Sequence, residues 1–595
     1  MMRLLLVFPM SVVVLAFVSF VFGGHCAAWQ WWAATAVALA SGFWRSTAKE
    51  GIRNGALFLG WLALFWTGCA MIAGAAWFDE VAYQYSAVRM LVDGWNPLRD
   101  CTPAAALGAV GLGADDLWID HVIYMPKVVW VFDAVAWFFT DDVLNPLAPI
   151  LWFLFPAVVG RAWRSMEGVH IVWKLLAVPL LYCIVPNTAY CVDSVVALSA
   201  IGLLLTFEEI LSRRGFDPLS LIVFSFWMMG AKTPGLLHGG FFWIVFIVFL
   251  LCTRRKDVAL RLSATVGIVA MLLALSCATP YLTSIRDYGH PFYPKYSIDE
   301  KRFPVKDLTH DFVTRRNEDA AQMGYAGLYV NAFISPSLAR EYYRRKLDKP
   351  DFMPYSQPYT HYPNDGGSSH PLRRSMRILF WLSLAWLFLG AGKSWRMPAL
   401  GVLLCMGAAP PPMLGYFRYI PWWISVALFA YIDCARRPEK WSRRVLCAAF
   451  LLLTCSVRPH TLTDRLVYAT SLVERRGILA RLFEGDDEPP AIRPAISPGM
   501  GQLKMLFRHA PYMKRPELLP YSRDHQVTTG RERLEISALM FVFDDLDEMR
   551  RRAFRYPEGT LHRAAYLAHI YLGTLPRLAA ARIASLWRDD DKGAL

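Results

Sequence analysis

Two adjacent carboxylates, Asp79 and Glu80, directly follow a long apolar run that ends at Trp77. Because ionised groups are costly in hydrocarbon, this pair is expected at the water boundary or in a polar cavity. A carboxylate in such a place can take a proton from a hydroxyl or an amine, so the pair is a candidate acid–base site. The alternative is that the two carboxylates cap a helix after a membrane span, where Asp is a favoured residue.

The residues after the pair predict a short helix that carries Tyr83, Tyr85 and Arg89 close to the carboxylates. The sequence GWNPL (94–98) then ends the helix, because Gly, Asn and Pro are typical of turns. The same segment later holds an acidic cluster, Asp115, Asp116, Asp120 and the adjacent His121. We interpret this cluster either as part of the site or as a solvated loop.

The elements that must position these residues are membrane helices. The chain has 595 residues, of which 55% are hydrophobic and 18% charged, and its mean hydropathy is +0.31. A soluble chain carries about a quarter charged residues. Many apolar runs approach the roughly 20 residues that cross a bilayer, and the 23 Trp suit interfacial belts. We therefore predict an all-α polytopic membrane protein.

Basic residues gather in the short links between apolar runs, which is how charge sets membrane topology. This pattern, rather than nucleic-acid binding, accounts for the net charge of +14. The 11 Cys lie mostly in apolar runs and predict neither a disulfide framework nor a zinc site. If every basic link is cytoplasmic, the chain has about thirteen spans, with the N-terminus inside and the C-terminus outside. The links centre on residues 45–53, 161–164, 213–214, 254–261, 393–396 and 436–444.

Three long segments then lie outside: 78–142, 280–374 and 458–595. The first of these contains the apolar stretch 121–139. If this stretch crossed the membrane, the later basic links would lie on the wrong side, so we predict a helix on or partly in the membrane surface. The last is predicted to be a small, mainly helical external domain, because residues 531–588 contain helix-like patterns. The predicted domains are 1–457, transmembrane, and 458–595, external.

Three motifs follow one another along the chain: FDEV at 78–81, YGHPFYP at 288–294 and FRYIP at 417–421. An FDE sequence that opens a long external loop after an early span resembles the GT-C superfamily of membrane glycosyltransferases. FDEV is similar to the branch of the protein O-mannosyltransferases and lipid A aminoarabinose transferases. The second motif resembles a family Tyr-Gly-Asn-Pro-Phe-Tyr-Pro, with His290 in place of Asn. The resemblance covers roughly residues 54–434.

The resemblance implies an inverting transferase that takes a sugar from a polyprenyl-phosphate donor on the outer face of the cytoplasmic (inner) membrane. The acceptor is a glycan, lipid or protein of the cell envelope, and membrane lipids surround the multi-pass chain. Asp79 matches the family's general base. Glu80 is expected to position the acceptor, orient Asp79 or help to bind a metal. Some members use a divalent cation and others use none. Oxygen ligands would suit Mg or Mn.

We predict that Lys232 and Arg418 hold the donor phosphate, because both are expected near the outer face at the depth of a lipid phosphate. Their alternative role is to extend to lipid headgroups. Lys127 has the same two interpretations. Asp120, His121 and His290 are weaker candidates for substrate binding.

Two other classes of function stay open. A flippase or transporter for lipid-linked glycans would show internal repeats and polar residues along facing spans, whereas here the polar residues collect in external loops. A GT-C scaffold that binds a lipid without catalysis is the other alternative, in view of His290 and of the spans that precede the FDE motif.

Overall fold

A computed structural model describes the greater part of the chain up to residue 437 and short pieces beyond it. The described residues are 1–44, 46–71, 84–113, 119–140, 149–184, 192–212, 215–253, 255–291, 374–390, 392–408, 425–437, 447, 478, 482, 490–494, 517, 533–536 and 539–542.

The described residues are mostly helical, as the composition predicts. The helices are α1 (Met2–Val21), α2 (Ala28–Phe43), α3 (Ala48–Met71), α4 (Tyr85–Val92), α5 (Pro103–Ala109), α6 (Ile119–Tyr124), α7 (Val128–Thr140), α8 (Leu151–Ser165), α9 (Ile171–Ile184), α10 (Val192–Leu211), α11 (Pro218–Ala231), α12 (Thr233–Cys252), α13 (Lys256–Ser276), α14 (Thr283–Tyr288), α15 (Arg374–Ala385), α16 (Lys393–Ala408) and α17 (Ser425–Ala435). Single π-helical turns follow α13 at Ala278–Leu282 and α15 at Trp386–Gly390.

Among the described residues, four helices are long and apolar enough to cross a membrane: α1, α10, α12 and α13. Large apolar side chains face outward on α12 and α13, including Ile244, Val248, Leu260 and Met271. Contiguous exposed apolar surface of this kind is expected where a helix faces lipid. Helix α10 is enclosed by its neighbours instead. These features support an all-α membrane protein, while the number of thirteen spans stays a prediction.

Helix α7 lies inside the bundle. The surface helix predicted for 121–139 is wrong: α6 ends at Tyr124, and α7 packs against α1, α2, α4 and α11. Its Phe132 ring contacts Phe8 of α1 and Trp227 of α11. Apart from Asp133, α7 is apolar on all sides, which is typical of a buried helix, and with 13 residues it is too short to cross a bilayer.

The basic links of the described chain meet at one end of the bundle, which we call the basic end. Arg3 donates to Trp44 O (2.7 Å), joining the start of α1 to the end of α2. Arg255 donates to Ile210 O (3.2 Å), and Arg437 donates to Gly390 O (3.0 Å). Arg436 reaches the Ser165 carbonyl at the end of α8. The structure thus groups these links at one end, as one-sided topology requires.

Buried ion pairs hold the basic end together. Arg161 donates to Glu209 (2.8 Å) and to Asp217 (2.9 Å), which joins α8, α10 and the start of α11. Asp217 is also the N-cap of α11 and accepts from the Ser220 N–H (3.2 Å), a typical cap before Pro at the first helical position. Arg436 donates two hydrogen bonds to Glu208 (2.9 and 3.1 Å).

The segment 458–595 contains an antiparallel sheet where helix was predicted. Strands β1 (Ala491–Pro494), β2 (Arg533–Ile536) and β3 (Leu539–Val542) pair in the order β1-β3-β2. The helical interpretation of LEISALMFVF (534–543) is therefore wrong for β2 and β3. Leu534 and Ile536 alternate with polar neighbours, which is the period of a strand, and only Ser537 and Ala538 separate the two strands, as in a hairpin.

Candidate functional site

Lys232 lies at the end of the bundle opposite the basic links. It stands between α11 and α12, and α11 starts at the basic end with Asp217. Its Nζ lies 2.7 Å from Oδ1 of Asp193, and both side chains are largely buried. Asp193 is in the first turn of α10, roughly 22 Å from Glu208 at 1.5 Å per residue. This contact does not agree with the alternative role of Lys232, in which the side chain extends to lipid headgroups, because the ammonium is held by a carboxylate.

The contact between Lys232 and Asp193 was not predicted from the sequence. The signal was available: an Asp beside one helix break and a Lys at the next are each expensive at this depth unless they meet. A contact of Lys232 with a donor phosphate stays a prediction. A bound phosphate would have to share the ammonium with Asp193.

The YGHPFYP segment is connected to Lys232 through Tyr281. The Tyr281 hydroxyl donates to Oγ1 of Thr233 (3.0 Å), the residue after Lys232. The π-helical turn that holds Tyr281 leads into α14, which ends at Tyr288. Gly289 then adopts a left-handed conformation with φ +74, which glycine supplies without steric cost. His290 follows and is partly exposed.

The first external segment contacts the same motif. The Tyr124 hydroxyl donates to the Tyr288 hydroxyl (2.9 Å), and the two rings meet edge to face. Tyr124 ends α6, the helix whose backbone carries Asp120 and His121. The side chains of those two residues lie outside the described part. The structure therefore brings the end of α6 to Tyr288, the first residue of YGHPFYP, a contact that was not predicted from the sequence.

A second contact joins the first external segment to α14, the helix that leads into YGHPFYP. Arg286 of α14 donates to Sγ of Cys101 (2.9 Å), and it also donates two hydrogen bonds to the neighbouring Asp287 (2.6 and 2.9 Å). The hydrogen bonds from Arg286 lower the pKa of the Asp287 carboxyl below its ordinary value. The side chain therefore stays charged at neutral pH and keeps Arg286 oriented toward Cys101.

Lys127 is completely buried at the break between α6 and α7. Its ammonium donates to the carbonyl oxygens of Ile123 and Met125, which closes the end of α6. The rings of Trp95 and Trp130 lie 5.9 and 6.0 Å from Nζ. Burial lowers the pKa of Lys127 well below its ordinary value. The prediction that Lys127 extends to lipid headgroups is therefore wrong, and its contact with a substrate stays untested.

The segment after the FDE motif is anchored in the bundle. Arg89 of α4 is buried, with its guanidinium carbon 5.6 Å from the ring centre of Trp137. Helix α4 ends where GWNPL predicted, and Gly94 has φ +99. The Asn96 amide donates to Phe20 O and Gly24 O (both 3.0 Å), which fixes this turn against the link between α1 and α2.

The two predicted catalytic residues, Asp79 and Glu80, lie outside the described residues, and so does Arg418. Their roles stay predictions. The same holds for a Mg or Mn site on Asp79 and Glu80. Among the residues that the structure does describe, no group of three or more His, Cys, Asp or Glu side chains could hold a metal ion.

Comparison with known proteins assigns no family. No family model, no curated protein and no solved structure matches this chain. The described arrangement provides a buried lysine–aspartate pair and a tyrosine-linked loop cluster, both at the end of the bundle that receives the segment after the FDE motif.

Proposed function

We propose that this chain is a membrane glycosyltransferase of the GT-C type that moves a sugar from a polyprenyl-phosphate donor to an acceptor outside the cytoplasmic membrane. The observation that supports this most is the convergence of separate segments at one end of the bundle. Tyr124 and Tyr288 join the first external segment to YGHPFYP, and Tyr281 connects that motif to Thr233, next to Lys232. A transferase needs its acceptor loop and its donor cation at one face.

In the proposed reaction, Asp79 takes the proton of the acceptor hydroxyl or amine as the acceptor attacks the anomeric carbon. The bond between that carbon and the phosphate oxygen breaks on the opposite face, and the polyprenyl phosphate leaves with the electron pair. Lys232 and Arg418 stabilise the growing negative charge of the phosphate. Arg418 offers two parallel hydrogen bonds and Lys232 a point charge. Asp193 holds the ammonium in place between turnovers.

The non-catalytic alternative has a specific observation in its favour. The charge of Lys232 is already balanced by Asp193 at 2.7 Å, so this cation can serve the fold alone. A protein of that kind would bind a prenyl phosphate without transferring its sugar.

Lipid extraction tests the proposal at its first step. The full-length protein is purified in detergent, its tightly bound lipids are extracted, and their head groups are identified by mass spectrometry. We expect a prenyl phosphate or its glycosylated form. If a prenyl phosphate is bound but no sugar transfer to any acceptor occurs, the non-catalytic alternative holds. If no prenyl lipid is bound and none is accepted as a donor, the proposal is wrong.

A further inference from the structure

A cleft at the basic end is lined by side chains of both charges. Its volume is about 640 Å³, and its lining residues come from the end of α8, the link that follows it, the start of α9 and the last turn of α10. The residues that line it are Trp163, Arg164, Glu167, Lys174 and Glu209. This cleft lies at the other end of the bundle from the site proposed above, so no step of the sugar transfer uses it.

The cations of the cleft keep donors available for a ligand. Nη1 of Arg164 lies 3.9 Å from Glu209 and from Asp217, beyond hydrogen-bond distance, and about half of the Arg164 side chain is exposed. Among the described residues, Lys174 and Glu167 make no ion pair. The Trp163 indole donates to the Lys174 carbonyl oxygen (2.8 Å), which fixes one wall of the cleft against the start of α9.

The charges of the lining balance. The lining carries two positive side chains, Arg164 and Lys174, and two negative ones, Glu167 and Glu209. Oε2 of Glu209 also pairs with the buried Arg161 (2.8 Å), while its Oε1 lies 3.9 Å from Arg164. A purely anionic ligand would meet two carboxylates, and a purely cationic one would meet a guanidinium and an ammonium. A zwitterion with a phosphate and a primary ammonium satisfies both, because the phosphate accepts from Arg and Lys while the ammonium donates to the carboxylates.

An apolar surface begins directly beside the cleft. Ile171, Val172 and Leu175 of α9 are each about half exposed, next to Lys174 in the sequence. Apolar side chains on the outside of a membrane helix face acyl chains. A ligand with its head group in the cleft would thus have a place for its tails along α9.

We propose that this cleft binds a phospholipid with a zwitterionic head group that carries a primary ammonium, the chemistry of the ethanolamine phospholipids. The phosphate is bound by Arg164 and Lys174, and the ammonium by Glu167 and Glu209. The acyl chains follow the apolar surface of α9. The lipid thereby occupies the junction of α8, α9 and α10 at the basic end.

Binding is tested on the full-length protein in detergent, with short-chain lipids as probes and isothermal titration calorimetry as the readout. We expect saturable binding of the ethanolamine phospholipid, and at least about tenfold weaker binding of the choline and glycerol phospholipids. Arg164→Gln and Glu167→Gln should each weaken the binding of the ethanolamine lipid by about tenfold or more. Both side chains are exposed, so folding should be unaffected.

The matched controls are Arg261→Gln and Glu50→Gln, which change exposed charges of the same types elsewhere on the chain. Gln keeps the capping box of α3, so that helix start stays intact. Equal affinity for all three lipids would overturn the proposal, and so would tighter binding of the anionic glycerol lipid or unchanged affinity in Arg164→Gln. Water-soluble phosphoethanolamine distinguishes a lipid ligand from a soluble one with the same head group. If it binds as tightly as the lipid, the cleft is a site for a soluble phosphate ester instead.

Discussion

Arg161 is expected to be the most costly charge to remove from the described bundle. Its guanidinium is fully buried and donates to Thr206 (3.1 Å), Glu209 (2.8 Å) and Asp217 (2.9 Å), which connects three helices. Arg161→Met keeps most of the side-chain volume but leaves two carboxylates without their cation. Removing one partner of a buried pair typically costs about 3–5 kcal/mol. Because Asp217 is partly exposed and Arg164 lies 3.9 Å away, we expect about 3 kcal/mol.

The free energy of unfolding should be measured by denaturant titration of the purified protein in mixed micelles. A triple variant with Arg161→Met, Glu209→Gln and Asp217→Asn removes the unpaired charges, and Asn remains a good N-cap for α11. We expect it to recover most of the lost stability. Arg261→Met, a change at an exposed arginine, is the control and should be within about 0.5 kcal/mol of the parent. A triple variant as unstable as Arg161→Met would refute the explanation by unpaired charges.

The same pair predicts a pH dependence. Burial would raise the pKa of Asp217, but Arg161 and the hydrogen bonds from Ser220 hold it below its ordinary value of 3.8. A lowered pKa in the folded state contributes stability that is fully present above 3.8 and is lost as the pH falls through the folded-state value. In Arg161→Met, burial acts on the carboxyl without this cation to oppose it, so the stability difference between the parent and Arg161→Met should be largest near neutral pH and should shrink as the pH falls toward and below 3.8.

Three further predictions concern topology, the loop contact and the donor site. In a background without native cysteines, single cysteines at 310 and 525 should react with an impermeant thiol reagent in intact cells, and one at 257 only after lysis; the reverse pattern would invert the topology. Tyr124→Phe and Tyr288→Phe should each cost about 1 kcal/mol, and the double variant no more than one of them, because both remove the same hydrogen bond; additive losses would contradict the contact. Arg418→Lys and Lys232→Met should each lower the affinity for a donor analogue, and the control Arg261→Lys should not. Unchanged affinity in both variants would exclude these residues from the phosphate site.

The helices and the grouping of basic links follow from simple physics of the sequence. The apolar runs 190–207, 235–252 and 258–279 predict α10, α12 and α13 to within a few residues, because the bilayer sets their length. The positive-inside pattern predicts which links share an end, and contacts such as those of Arg255 and Arg436 agree.

The errors have two causes: α7 is a short segment whose partners are distant in sequence, and the strand period of β2 was interpreted as helical. A surface position was predicted for α7 because a crossing there would place the later basic links on the wrong side of the membrane. Its place in the bundle depends on α1 and α11, which are both far from it in the sequence. Strand β3 likewise requires β1, almost fifty residues before it.

Some features of the candidate site could likewise be predicted from the sequence, and others could not. Motif order predicted that YGHPFYP and the first external segment share a face, and the contact of Tyr124 with Tyr288 agrees with that placement. The partner of Lys232 could have been found by asking which acid lies at the same depth, since Asp193 begins the helix that precedes α11. The burial of Lys127 could not be predicted in this way, because it depends on Trp95 and on the break after α6.

The central claim is that Asp79 acts as the base of a sugar transfer. The most direct measurement is the transfer rate from a polyprenyl-phosphate sugar, using the lipid identified by extraction, for the parent, Asp79→Asn and the control Asp257→Asn. General base catalysis is worth about 10²–10⁴ in rate, so Asp79→Asn should lose about that much while it expresses and elutes as the parent does. Asp257→Asn, an exposed carboxylate in the first turn of α13, should keep the parental rate. A folded Asp79→Asn protein with the parental rate would contradict the claim and leave Asp79 as the cap of a helix.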